Sequence, residues 1–173
     1  LEDSEGQRVE QHLELTITRS GDAPRALAGL DFEADPGRIE LRANAEGPGP
    51  HQYQWTALSA PAGAPPVIEN SNEQVASFEG RPAGAYVFRL DVTNGTHAGH
   101  ADELTVTVRD LPPHVAFEPT PQGRVGEALT LKVQVEDPNG DDIDDIEWSL
   151  RPADAGSLEA QGSEATLTGD APG

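Results

Sequence analysis

At 173 residues, with 35% hydrophobic and 5% aromatic residues, the chain has room for one large or two small domains with thin cores. Its formal net charge of −20 argues against nucleic acid and against anionic membrane surfaces as partners, since both would repel it. The absence of cysteine excludes disulfides and thiol chemistry.

Leu, Ile, Val and Phe make up about a fifth of the residues, at the edge of what a disordered chain would carry. Regular strand alternation decides for folding. Gly and Pro are abundant and no stretch is convincingly helical, which suits an all-β protein. No 18-residue apolar run exists, so no membrane insertion is expected. The chain opens at Leu1 and has no Met, which fits a processed or excised product. A single lysine, Lys132, stands beside ten arginines. Such an acidic, lysine-poor surface fits a salty or calcium-rich setting, and GC-rich coding would produce it as well.

In chain order, residues 1–20 read as the closing strand of a module whose other strands do not precede it. At an offset of 89, Leu1 falls on Leu90, Gly6 on Gly95, Leu15 on Leu104 and Ile17 on Val106. Glu14-Leu-Thr-Ile-Thr and Glu103-Leu-Thr-Val-Thr are nearly one string. Turn residues fill 21–38 around a short apolar piece, Leu27 to Phe32. Ile39-x-Leu41-x-Ala43 then alternates as a strand. A Gly-Pro loop at 46–50 breaks it, and Gln52 to Thr56 forms the next strand, with Trp55 as the central core residue. The Pro-rich stretch 59–66 is loop. Val67-Ile68 and Val75-x-x-Phe78 give short strands. Tyr86/Phe88/Leu90/Val92 and Leu104/Val106/Val108 form a hairpin around Asn94-Gly95.

Leu111-Pro-Pro-His is a short, stiff linker. After it the pattern returns. Val115-x-Phe117 answers Leu30-x-Phe32, and Leu129 to Val135 answers Ile39 to Ala43. Ile146-x-Trp148 answers Tyr53-x-Trp55, and Ala165-x-Leu167 answers Ala76-x-Phe78. A fixed period of this size indicates an array of similar domains. The boundaries expected are 1–23 as a stray terminal strand, 24–110 as a complete module, and 111–173 as a second module without its closing strands. A sandwich lacking that hairpin exposes an apolar slot and unpaired edges. Either the chain is a window from a longer array, or segment 1–20 of one copy completes 111–173 of the next as a head-to-tail fibre.

Tyr53-x-Trp55, Ala76-x-Phe78, Gly84-Ala-Tyr-Val-Phe-Arg-Leu-Asp-Val-Thr-Asn-Gly and Leu104-Thr-Val-Thr-Val together resemble the PKD/REJ-like branch of Ig-like domains. The resemblance covers 24–110 well and 111–173 in part. It implies an all-β chain of tandem Ig-like/PKD-like β-sandwiches, extracellular, serving as spacers, adhesion modules or accessory domains of secreted enzymes. One departure is the W-D-F-G-D-G string common in that branch. Trp55-Thr-Ala-Leu and Trp148-Ser-Leu-Arg stand in its place.

Asp137, Asn139, Asp141, Asp144 and Asp145 form the densest acidic cluster, spaced around Gly140 so that several hard oxygens could meet one Ca²⁺. A solvated turn between strands is the alternative; the glutamate that would close an EF-hand loop is absent. The first module has a Gly-Pro loop there, so it carries no such site. His97, His100 and Asp102 could ligate a transition metal or simply line a polar loop. Asn94-Gly95-Thr96 fits the glycosylation sequon and equally a plain Asn-Gly turn. No Gly-rich phosphate loop and no nucleophile elbow appear, so no enzyme is expected. The expectation is an extracellular structural or adhesive repeat: a stalk, surface array or fibre subunit. Its partners would be other copies of itself or neighbouring modules. The alternative is an accessory module binding a carbohydrate or a surface protein for a secreted enzyme. A carbohydrate binder presents exposed aromatics on a flat face, whereas most aromatics here fall at core-phase positions.

Overall fold

The computed structural model describes residues 23–61, 63, 65–117 and 122–170. Segment 1–20, read above as a closing strand, lies outside them. The described chain is all-β, without a helix. Strands β1 (Arg25–Leu27), β2 (Phe32–Ala34), β3 (Gly37–Arg42), β4 (Asn44–Glu46), β5 (Gln52–Ser59), β6 (Ile68–Glu69), β7 (Val75–Gly80), β8 (Gly84–Thr93) and β9 (Asp102–Val108) build a β-sandwich. One layer has the order β2-β9-β8-β5; the facing layer is β3-β7-β6, extended by the pair β1-β4. Alternation dictates which side chains face inward. In β8, Tyr86, Phe88, Leu90 and Val92 are buried, and their neighbours turn toward solvent. Phe88 and Leu90 are fully covered, and Leu104, Val106 and Val108 of β9 stand beside them. Trp55 closes the centre at 1% exposure. Phe78 packs on Phe88 with ring centres 4.6 Å apart and on Tyr86 at 5.2 Å, the tilted geometry aromatic pairs favour.

The first strand switches layers. β1 pairs antiparallel with β4, while β2 pairs parallel with β9. Gly29, with φ +99°, makes the bend, a conformation that side-chain-bearing residues avoid. Two carboxylates pin the crossing. Asp102 Oδ2 accepts the Ala28 N–H at 2.9 Å, and Asp31 Oδ1 accepts the Thr105 N–H at 2.8 Å. Tyr86 lies near the opposite end, its hydroxyl donating to the Pro82 carbonyl at 3.0 Å. Burial pushes that hydroxyl's pKa above its ordinary 10.0, a backbone hydrogen bond at Arg81 opposing it. A native pKa above the unfolded one gives stability that is complete below the unfolded value and is lost as pH rises through the folded one. The Tyr86 contribution to stability should therefore stay level up to about pH 10 and fall beyond it. Tyr86→Phe should flatten that fall in urea titrations taken at successive pH values; an unchanged alkaline slope would contradict the assignment.

Beyond Leu111-Pro-Pro lies a separate four-stranded sheet of β10 (His114–Phe117), β11 (Ala128–Glu136), β12 (Gly156–Gln161) and β13 (Glu164–Gly169), in the order β10-β11-β13-β12. Its register repeats that of the sandwich. Ile39 faces Phe78 and Leu41 faces Ala76 across β3-β7; Leu129 faces Leu167 and Leu131 faces Ala165 across β11-β13. The same register corrects one expected correspondence. Val115 pairs with Val135 as Ala26 pairs with Ala45, so Val115-x-Phe117 matches Ala26-x-Ala28 rather than Leu30-x-Phe32. The inward positions before the layer switch are alanines, whereas Leu30, at 90% exposure, and Phe32 turn outward. A second difference concerns Ile146-x-Trp148, which forms no strand; 137–155 are irregular throughout. In the sandwich, the strand bearing Trp55 takes its ladder from β8. No strand stands in that place beside Trp148 among the described residues, so no ladder holds it extended.

Candidate functional site

Two features of the second unit stand out. The first is an apolar groove of about 250 Å³. Its floor comes from β10 and β11 through Val115, Phe117, Val133 and Val135, and its wall from Ile146 and Trp148 of the irregular segment. Phe117 is 68% exposed and Val115 51%, although alternation places both on the face that a sandwich would bury. Phe117 meets Trp148 edge-on at 6.2 Å, and the indole N–H donates to the Gly162 carbonyl at 2.8 Å. That bond fixes the ring at the rim of the groove. Covering such side chains would contribute about 1.5–3 kcal/mol apiece.

The second feature is the turn that follows β11. Asp137 Oδ1 accepts the N–H groups of Asn139, at 2.8 Å, and of Asp141, at 3.3 Å. Gly140 takes the positive φ, +80°, that the turn requires. Asn139 is 2% exposed, and its carboxamide reaches the sandwich. Nδ2 donates to the carbonyls of Arg81 and Arg109, and Oδ1 accepts the Leu111 N–H, each at 2.8 Å. Asn139, counted in sequence among oxygen donors for Ca²⁺, has that oxygen engaged by Leu111. Asp141, Asp144 and Asp145 lie exposed, and Asp145 Oδ1 accepts the Ile146 N–H at 2.8 Å. Among the described residues no three His, Asp or Glu side chains are grouped so as to hold a metal ion.

The polar loop between β8 and β9 places the remaining candidates. Asn94 Oδ1 accepts from Thr96 N at 3.1 Å and His97 N at 2.8 Å, an Asx turn built by the sequon asparagine itself. His100 bonds through its backbone to Pro24 and Ala26, and Asp102 holds Ala28. His100 and Asp102 thus lie along the seam that closes the sandwich, whereas His97 stays within the loop, its carbonyl accepting from Thr93 Oγ1 at 2.9 Å. On β8, Asp91 holds the exposed Arg89 guanidinium pKa above its ordinary value through a hydrogen bond and its charge. The part played by Asn139 had no sequence signal beyond the turn itself, because its partners are backbone atoms 28, 30 and 58 residues away.

Residues 28–108 match the family model of the K319L-like PKD domain. Among solved structures, the PKD domain of human KIAA0319 is similar at 20% identity and TM-score 0.46, over 57% of this chain and 92% of that one. The PKD domain of the KIAA 1837 protein is similar at 26% identity and TM-score 0.42, over 54% of this chain and 91% of that one. The N-terminal eight Ig domains of the Down syndrome cell adhesion molecule are similar at 20% identity and TM-score 0.40, over 87% of this chain and 20% of that one. None of the curated proteins matches the chain. The strand order, the buried Trp55 and the Tyr86-x-Phe88-x-Leu90 strand all fall within the matched span, and over residues 28–108 the chain is similar to the K319L-like PKD domain.

Proposed function

We propose that the chain is a non-enzymatic structural or adhesive repeat of an extracellular array, in which 111–173 is a second sandwich of the PKD type that takes its closing strand from outside that segment. The exposed groove along Val115, Phe117 and Trp148 carries this reading, because the equivalent face of the first sandwich is covered by β8 and β9. The occupant is a strand patterned like β9, and residues 1–20 of another copy have that pattern. Leu15 and Ile17 stand where Leu104 and Val106 do, and those two residues are 2% and 0% exposed in the sandwich. A contact of this head-to-tail kind does not close on itself and builds a filament, and strand addition supplies both backbone hydrogen bonds and apolar cover.

Sedimentation velocity tests it. The intact chain should grow in mass with concentration, whereas Leu15→Asp with Ile17→Asp should remain a monomer. A monomeric intact chain at every concentration, or a double variant that assembles equally well, would remove strand complementation. A monomer that retains a soluble glycan would instead favour an accessory binding module.

A further inference from the structure

We infer that the backbone around Arg81, Arg109 and Leu111 forms a receptor for a single carboxamide, and that Asn139 seated in it holds the second unit at a fixed angle to the first. The chemistry is complementary. A carboxamide offers two N–H donors and one acceptor oxygen. The receptor offers two carbonyl oxygens, of Arg81 and Arg109, and one N–H, of Leu111; all three bonds measure 2.8 Å. The carbonyls come from two separate places, the β7–β8 turn and the residue just after β9, so one side chain ties both to the turn after β11. An aspartate there would aim oxygens at two carbonyls and leave both without a donor. The sandwich's own equivalent turn, Gly47-Pro48-Gly49-Pro50 after β4, has glycine where Asn139 stands and lacks the carboxamide. Asp137, whose carboxylate accepts the Asn139 N–H, sets the turn so that the carboxamide points outward into the receptor. The linker Leu111-Pro112-Pro113 is short and narrows the range of angles between the units, and the seated carboxamide selects one angle within that range. The partner this surface accepts is a neighbouring module whose turn presents Asn, which would make the joint a stiff element of the array rather than a hinge.

The absence of native cysteine makes a direct measurement simple. Dyes on Thr56→Cys, in the sandwich, and Gln161→Cys, in the second sheet, report the inter-unit distance by single-molecule energy transfer, at dilutions where no assembly forms. The otherwise unaltered chain should give one narrow distribution. Asn139→Ala and Asn139→Asp should broaden it and shift its centre, while Asp141→Asn in the same turn should leave it narrow. An Asn139→Ala distribution as narrow as that of the unaltered chain would overturn the inference. So would loss of the β11 and β13 amide pattern in the nuclear magnetic resonance spectrum of Asn139→Ala, since the side chain would then be serving the sheet and not the joint.

Discussion

Phe88→Ala should destabilise the first sandwich by about 3–5 kcal/mol, whereas Phe117→Ala in the dilute chain should cost under about 1 kcal/mol. Both residues are phenylalanines at inward phases of their strands. Phe88 is fully buried, with Phe78 packed on it at 4.6 Å, so truncation leaves a cavity in an interior that contains few large apolar groups. Phe117 at 68% exposure has little cover to lose. Small domains are stable by only about 5–15 kcal/mol, so the Phe88 change approaches the whole margin. Urea unfolding followed by Trp55 emission in a Trp148→Phe background reads the first loss, and unfolding followed by Trp148 in a Trp55→Phe background reads the second. Equal losses at the two positions would mean that the groove is covered in solution.

The second large effect is expected at Gly99. This residue donates its N–H to the Val92 carbonyl at 2.7 Å at the mouth of the β8–β9 hairpin. A Cβ there would sit 2.7 Å from Val92 Cγ1 and 2.9 Å from the Val92 carbonyl oxygen, and would also collide with the Pro24 carbonyl. Two of those three atoms are backbone and cannot rotate away. Gly99→Ala should therefore force the seam between Pro24 and β8 apart and cost about 1–3 kcal/mol or more by overpacking. A Cβ at Gly95 in the same loop would meet nothing within 4 Å, so a substitution there would be strained only conformationally, by φ +82°. Thermal melting of both variants separates steric from conformational loss; a Gly99→Ala chain that melts with the wild type would contradict this packing.

Strands with one buried face were legible because period-2 alternation is a direct imprint of that burial. β5, β7, β8, β9, β11 and β13 all appeared within a few residues of their observed bounds. β12 was missed because Gly156-Ser-Leu-Glu-Ala-Gln has only one large apolar residue, Leu158, and no β-branched one. β1 was missed for a related reason: its inward residues include Ala26, which is fully buried yet carries no periodic signal. The strand expected at Ile146-x-Trp148 failed differently. Its pattern is present, but a strand exists only through a partner's ladder, and pattern alone does not supply the partner. The Asn139 contact was illegible because backbone carbonyls and amides have no sequence identity. The acidic residues around it pointed toward a cation, while the neutral one among them bonds to the neighbouring unit.

Acrylamide quenching of single-tryptophan chains, measured across concentration, puts the central claim to the most direct test. Trp55 should stay shielded throughout, whereas Trp148 should be readily quenched in the dilute chain and become shielded as copies associate. A Trp148 already as shielded as Trp55 in the dilute monomer, or one equally quenched after assembly, would contradict an open second sandwich closed by a strand from outside.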